Sequence, residues 1–168
     1  RGHEVHVVGQ RTREGTPDTE KMFGLTLHRY GQYGRARRFA GRTVSALRSS
    51  RGVLARLSRE RDFDVVLPHH YFPYYAYIGL TRRKPMPEIM TFHASFWREL
   101  RLEGAERSLG KPFESIFFGG LARRTERACL SRADRVVVLS EFSREQLTNY
   151  YPFASGKVRR IPGGVDLH

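Results

Sequence analysis

Short apolar segments that alternate with helical segments constrain the fold of this chain most strongly. Three of them are Asp64–Pro68 (DVVLP), Glu88–Phe92 (EIMTF) and Arg135–Leu139 (RVVVL), and their apolar residues are largely consecutive rather than alternating. Consecutive apolar residues are typical of strands that are buried on both faces, because helices cover both faces of a parallel sheet. The sequence therefore predicts an α/β protein.

Segments with helical periodicity separate the predicted strands. Apolar residues recur near the helical period in two stretches, a short helix is expected in a third, and a serine in an N-cap position begins a fourth. These predicted helices are Arg35–Arg61, Tyr74–Leu80, Phe113–Ala128 and the residues after Ser140. Further strands are predicted at Glu4–Gly9, Thr26–Tyr30 and Lys157–Ile161, and a loop is predicted at Ala94–Lys111. The alternation predicts a doubly wound parallel sheet of right-handed βαβ units.

The helix predicted over Arg35–Arg61 is strongly basic, and a break is expected at Gly52. Gly119-Gly120 interrupt the later predicted helix, where they indicate close packing of the backbone. The whole chain has 30 Lys and Arg against 17 Asp and Glu, a net charge of +13. This excess favours nucleic acid, an anionic membrane surface or phosphorylated small molecules as partners, and a solvated helix face is the simplest alternative.

Length and composition fit one soluble domain. The 168 residues are 39% apolar, which is enough for one core. No run approaches the roughly 18 apolar residues that span a bilayer. Cys129 is the single cysteine, and its apolar helical setting predicts a buried thiol in a reducing compartment. Arg1-Gly2-His3 resembles the end of a helix, so a strand and a loop are expected upstream.

Several polar residues are expected at one edge of the sheet, since ligands of such folds bind outside the carboxyl ends of the strands. His69, His70, His93 and Ser140 each follow a predicted strand. His93 has the small neighbours Ala94 and Ser95, which leave space for a ligand beside a titratable imidazole. A histidine that hydrogen-bonds a loop is the alternative interpretation.

Other candidates surround this edge. Arg98 follows His93 by five residues and suits a phosphate or carboxylate. The aromatic residues between Tyr71 and Tyr77 suit a sugar ring or base, but at this spacing aromatic residues more often pack in a core or at a domain contact. Adjacent histidines such as His69 and His70 point to opposite faces of a strand, and no cysteine or carboxylate stands at ligand spacing, so a zinc site is rejected.

Four segments together resemble the N-terminal half of a family 4 glycosyltransferase with the GT-B architecture, in which two Rossmann-like domains face a cleft. The matching segments are RGHEVHVVG (Arg1–Gly9), DVVLPHH (Asp64–His70), TFHAS (Thr91–Ser95) and ADRVVVLSEFSREQL (Ala133–Leu147), the last followed by VRRIPGGVD (Val158–Asp166). Gly163 stands where the family usually has asparagine. The family's glycine-rich loop is not in the sequence.

The resemblance implies a Rossmann-like acceptor-side domain over residues 1–162 and the start of a hinge over residues 163–168, with the donor domain absent. It implies transfer of a sugar, with retention, from a UDP- or GDP-type nucleotide sugar to a lipid-linked, polysaccharide or small-molecule acceptor. The nucleotide sugar is a co-substrate, and no bound cofactor or metal is expected. The fragment is expected to be inactive alone, because half of the cleft lies in the donor domain.

The resemblance also assigns site residues and a setting. His93 corresponds to the family's active-site histidine, while Arg98, Ser95, His70 and Tyr71 are the candidates for acceptor binding. A sugar or phospholipid-type acceptor is the implied partner. The charge of Arg35–Arg61, rather than the resemblance, adds an anionic membrane surface as a candidate partner. The implied setting is the cytoplasm, at the inner face of a bacterial cell membrane, in cell-envelope or polysaccharide biosynthesis.

Two alternatives remain open. The net charge fits a nucleic-acid-binding α/β module, although the arginines are not interleaved with aromatics as in known nucleic-acid motifs. A sugar-nucleotide epimerase shares the two-domain architecture, and product analysis distinguishes it from a transferase.

Overall fold

The computed structural model describes residues 2–31, 39–81, 86–95, 97–98 and 112–163. The chain divides into two compact units. Unit 1 comprises residues 1–63 and 72–83, and unit 2 comprises residues 64–71 and 84–168. The first residues of the helix predicted from Arg35, most of the loop predicted at Ala94–Lys111 and most of the predicted hinge lie outside the described residues. Within that predicted loop, Trp97 and Arg98 are helical, so the loop prediction is wrong at these two residues. The predicted domain limits stay a prediction.

Unit 1 contains a three-stranded sheet in the order β1-β3-β2. Its strands are β1 (Val5–Gln10), β2 (Thr19–Met22) and β3 (Leu25–Tyr30), and β1 pairs with β3 in parallel as the sequence predicts. The sequence does not predict β2, which pairs antiparallel with β3. Phe23 and Gly24, with φ of 49° and 77°, make the tight turn between them.

Two helices follow β3 in the chain. Helix α1 (Phe39–Glu60) packs against β1 and β3, and α2 spans Tyr71–Ile78. The break expected at Gly52 is wrong, because α1 is continuous through this residue. One glycine costs a helix only about 1 kcal/mol, less than the packing of buried neighbours such as Leu57 contributes. In α2, Tyr74 and Tyr77 are buried, so core packing explains these two aromatic residues.

Unit 2 contains a parallel sheet in the order β4-β5-β6. Its strands are β4 (Ile89–Phe92), β5 (Arg135–Val138) and β6 (Val158–Arg160), close to the predicted segments. Met90, Phe92, Val136 and Val138 are fully buried and form its core. The apolar runs in the sequence identified this core correctly.

The strand predicted at Asp64–Pro68 is only partly formed. Val66 makes an isolated parallel bridge with Glu88, and the Ile89 amide donates to the Val66 carbonyl at 2.9 Å. The Thr91 amide donates to the Pro68 carbonyl, also at 2.9 Å. Pro68 has no amide hydrogen to donate, so the ladder cannot continue regularly through it.

The helices of unit 2 are α3 (Pro112–Arg132) and α4 (Glu141–Tyr150), followed by a 3₁₀-helix at Pro152–Lys157. Ser140 is the N-cap of α4, as predicted, and accepts from the Ser143 amide at 3.1 Å. The prediction of close backbone packing is wrong at Gly120, because a Cβ atom there would meet nothing within 4 Å. Cys129 is fully buried, and burial raises the pKa of its thiol.

Both units therefore combine parallel strand pairs with helices, as an α/β fold does. Helices separate the strands of unit 2, whereas β2 rather than a helix separates the parallel strands β1 and β3, so the predicted βαβ arrangement is wrong in unit 1. The antiparallel strand β2 is an addition to the predicted pattern. Among the residues that the structure describes, no helix is long and apolar enough to cross a bilayer.

Candidate functional site

His93 lies at the carboxyl end of β4, as the sequence predicts. The preceding Phe92 is fully buried, whereas His93 is exposed. Its ring stacks on that of His69, with centroids 5.9 Å apart and planes inclined at 29°. His70 is exposed as well, but the structure places His69, rather than His70, against the His93 ring. The end of β4 and the end of the bridged segment Asp64–Pro68 thus bring two imidazoles together at the edge where ligands of α/β folds bind.

The backbone at His93 is tied to the start of α4. The Ser143 hydroxyl donates to the His93 carbonyl at 3.4 Å. The Ser140 hydroxyl donates to the Ser143 hydroxyl at 3.0 Å. The serine that caps α4 is therefore connected, through one further serine, to the backbone that carries the His93 imidazole.

Two of the predicted acceptor-binding residues are buried. Ser95 is 1% exposed, and its hydroxyl donates to Glu126 Oε2 at 3.1 Å. The Ser95 amide donates to Gln146 Oε1 at 3.3 Å. Tyr71 is 7% exposed, and its hydroxyl donates to the Ala94 carbonyl at 3.2 Å. In this structure both side chains fix the backbone after His93.

Arg98 is exposed and lies against the end of α4. Its guanidinium donates to the Tyr150 hydroxyl at 2.8 Å and lies 5.8 Å from the centroid of the Tyr150 ring. Tyr150 also meets Trp97 edge-on, with centroids 5.5 Å apart, and the Arg123 guanidinium lies 5.4 Å from the centroid of the Trp97 ring. A guanidinium has five N–H donors, so the bond to Tyr150 leaves most of its capacity for a ligand anion.

Sequence reasoning missed Glu126, which lies at the centre of these contacts. It is fully buried and accepts from the Ser95 hydroxyl, from the Trp97 amide at 3.1 Å and from the Tyr151 hydroxyl. A signal was present in the sequence. Glu126 falls on the apolar face of α3, four residues after Ala122 and three before Cys129, where a charge needs partners.

Tyr151 is the second residue that the sequence did not reveal. It is 2% exposed, and burial together with its hydrogen bond to Glu126 raises the pKa of its phenol. The phenol is therefore a fixed hydrogen-bond donor at physiological pH.

Unit 1 holds an open cavity of about 1190 Å³ between α1 and the segment after β1. Its lining is rich in charge, with four arginines against two carboxylates: Arg11, Arg29, Arg48, Arg56, Glu14 and Asp18. Asp18 and Arg11 pair with each other, while Arg48 and Arg56 are exposed on α1. Across the described residues, no three His, Cys, Asp or Glu side chains are grouped as metal ligands.

Comparisons with known proteins are consistent with this geometry. A family model described as Glycosyltransferase Family 4 matches residues 1–168. No curated protein is significantly similar in sequence. A solved structure of sucrose-phosphate synthase from Thermosynechococcus elongatus has a similar fold, with a TM-score of 0.72 and 17% identity over 99% of this chain.

The chain spans 39% of that synthase structure. A second structure of the same synthase gives a TM-score of 0.62 at 17% identity, covering 98% of this chain and 78% of the other. At this identity the likeness concerns the fold.

Proposed function

Because the chain belongs to glycosyltransferase family 4, we propose that it is the N-terminal, acceptor-side domain of an enzyme that transfers a sugar from a nucleotide sugar to an acceptor. The donor is of the UDP or GDP type, and the transfer proceeds with retention. Most donor contacts belong to a second domain, so the fragment alone is inactive. The fold shared with sucrose-phosphate synthase, whose name describes a sugar phosphate as product, supports this assignment.

The observation that carries the proposal is the exposed imidazole of His93 at the carboxyl end of β4. Its backbone carbonyl is held by Ser143, and its ring is stacked on His69. An anchored imidazole at this edge offers a hydrogen bond in a fixed direction. Fixed donors lower a barrier most where charge develops during the reaction.

His93 then acts on the sugar that is transferred. As the bond from the anomeric carbon to the nucleotide phosphate breaks, positive charge develops on the sugar ring and negative charge on the leaving phosphate. The imidazole positions the sugar by a hydrogen bond and stabilises part of this developing charge. The chain's own residues supply this role without a bound cofactor or metal.

Arg98 is the proposed contact for an anionic acceptor. Its guanidinium is exposed and is oriented by Tyr150. His70, also exposed, is a second acceptor contact, whereas Ser95 and Tyr71 shape the acceptor side through the backbone that they hold. The arginine-rich cavity of unit 1 favours the same chemistry, since it suits the phosphate of a phosphorylated or lipid-linked acceptor.

The exposed arginines of α1 support a peripheral contact with an anionic membrane. Arg48, Arg51 and Arg56 are all exposed on this helix. A surface of this kind gains about 1 kcal/mol for each basic residue near anionic lipid. The proposed location is therefore the cytoplasm, at the inner face of the membrane, where lipid-linked acceptors are available.

Replacement of His93 tests the proposal in the enzyme that carries this domain. With nucleotide sugar and acceptor supplied, His93→Ala should lower kcat by about 10²- to 10³-fold, as loss of one preorganised donor does elsewhere. The matched control is His3→Ala, since His3 is an exposed histidine of unit 1. Unchanged turnover in the His93 variant would overturn the assigned role.

A further inference from the structure

The carboxylate of Glu126 joins three parts of unit 2. Oε1 accepts from the Trp97 amide at 3.1 Å. Oε2 accepts from the Ser95 hydroxyl at 3.1 Å and from the Tyr151 hydroxyl. The side chain itself projects from α3 and is fully buried. One carboxylate therefore connects α3, the segment after β4 and the residue that follows α4.

The chemistry of these bonds favours an ionised carboxylate. All three groups donate, and only the ionised form accepts at both oxygens without presenting a proton of its own. A buried charge is costly unless it is hydrogen-bonded. Movement of a donor away from Glu126 would therefore cost free energy, which holds these donors in place. Hydrogen bonds to an ionised acceptor are about twice as strong as neutral ones.

Two of the three donors belong to the short segment between His93 and Arg98. Ser95 lies two residues after His93, and the Trp97 amide directly precedes Arg98. The Arg98 amide in turn donates to the Ser95 carbonyl at 3.2 Å, and this helical turn ties Arg98 directly to Ser95. A shift of Ser95 or Trp97 must therefore move the two residues proposed to contact substrate.

We propose that Glu126 is a positioning residue that fixes the turn from His93 to Arg98 and thereby sets the places of the imidazole and the guanidinium. This inference rests on the proposed function. Glu126 has no contact with solvent and so acts through the backbone and not on the substrate. Misplacement of a reacting group by about 1 Å can cost on the order of a hundredfold in rate.

Glu88 provides a matched control within the same unit. It is also fully buried, it directly precedes β4, and it pairs with Arg132 of α3 at 2.9 Å. Glu88 therefore resembles Glu126 in burial and in its link to α3, but it lies at the opposite end of β4. A purely structural role predicts similar behaviour for Glu88→Gln and Glu126→Gln once each is corrected for the folded fraction.

Trp97 reports directly on the turn, because it is the single tryptophan of the chain and its amide is bonded to Glu126. In the folded 168-residue chain, Glu126→Gln should shift the fluorescence emission to longer wavelength and increase quenching by acrylamide. Gln keeps the size of the side chain but cannot accept from all three donors. Glu88→Gln should leave the native emission unchanged. If Glu126→Gln folds poorly, Ser95→Ala replaces it in the experiment. This variant removes only one of the three donors, so its emission shift should be smaller.

Kinetics on the enzyme that carries this domain supply the second readout. Glu126→Gln should lower kcat at least about tenfold and raise the KM for acceptor, since both His93 and Arg98 move. At an equal folded fraction, Glu88→Gln should retain both parameters. Equal kinetics and equal Trp97 emission for the two variants would overturn the positioning role.

The two proposals fail in different ways. If His93→Ala retains turnover, the proposed role of His93 is overturned, and a kinetic effect of Glu126→Gln is then expected only through Arg98, as a raised KM for acceptor. The fluorescence comparison still decides whether Glu126 holds the turn. If His93→Ala loses turnover while Glu126→Gln behaves like Glu88→Gln, the function stands and the positioning role is wrong.

Discussion

The two units bury polar groups of different kinds. In unit 2 the carboxylates of Glu88 and Glu126 are fully buried, and Glu88 pairs with a guanidinium. In unit 1, His28 is 5% exposed, and its Nε2 lies 2.9 Å from Nδ1 of His6. The hydrogen bonds and the ion pair of the buried carboxylates require that the carboxylates be ionised. The hydrogen bonds of the histidine pair require instead that His28 carry no added proton. The difference teaches that the two units should respond differently to isosteric substitution and to pH.

The histidine pair of unit 1 forms a consistent relay when both rings are neutral. Thr19 donates its hydroxyl to His28 Nδ1 at 3.3 Å, and His28 Nε2–H donates to His6 Nδ1. His6 Nε2–H then donates to Glu4 Oε1 at 3.0 Å. Burial, followed by the charges of His6 and Arg56, lowers the pKa of His28. Protonation of His28 Nδ1 would remove the acceptor for Thr19.

The largest loss of stability is expected from Glu88→Gln. Removal of one partner of a buried ion pair leaves the other uncompensated and costs about 3–5 kcal/mol. Arg132 is only 17% exposed in its side chain, so water cannot replace Glu88 fully. Urea unfolding measures the change. Arg144→Gln is the control, since its pair with Glu141 is about half exposed, and it should cost less than about 0.5 kcal/mol. If both variants lose the same free energy of unfolding, the buried ion pair stabilises the fold no more than the exposed one does.

Tyr151→Phe should give a smaller loss. The substitution deletes the hydroxyl that donates to Glu126 and leaves the ring in place. A hydrogen bond to a charged group contributes about 2 kcal/mol, so the free energy of unfolding should fall by that amount. Tyr75→Phe is the matched control, because Tyr75 is 41% exposed. If the two variants are equally stable, the hydroxyl of Tyr151 does not stabilise the buried carboxylate.

The smallest expected effect is a loss of stability of unit 1 at low pH. The pKa of His28 is lower in the folded chain than its ordinary value of 6.5, so the unfolded chain binds the proton first. The stability that His28 contributes is therefore complete at neutral pH. It decreases as the pH falls below about 6.5 and levels off below the folded-state pKa. Amide hydrogen exchange in β1 and β3 measures this change.

A His28→Asn variant separates this titration from others. Exchange in β1 and β3 should then depend less on pH, because the asparagine side chain does not titrate in this range. His69→Asn, at an exposed histidine of unit 2, should leave the pH dependence of β1 and β3 intact. If His28→Asn retains the full dependence, a different group controls the acid response of unit 1.

Apolar patterns predicted most of the elements but not their exact pairing. RVVVL predicts β5 well because Val136 and Val138 are fully buried and Val137 is half-buried, as expected of a strand inside a parallel sheet. TEKM, the sequence of β2, has no apolar pattern, so its strand conformation arises from the turn at Phe23-Gly24 and from hydrogen bonds to β3. DVVLP is apolar, yet it forms only a bridge at Val66.

The candidate site divides in the same way. The sequence determined that His93 follows a strand of a parallel α/β fold, because the run of apolar residues before it is a local feature that is typical of strands covered on both faces. Only the tertiary structure decided which groups meet at that strand end. Glu126 lies 31 residues from Ser95 and 25 residues from Tyr151 along the chain. No local pattern specifies such partners, because a buried carboxylate finds its donors through the packing of separate elements.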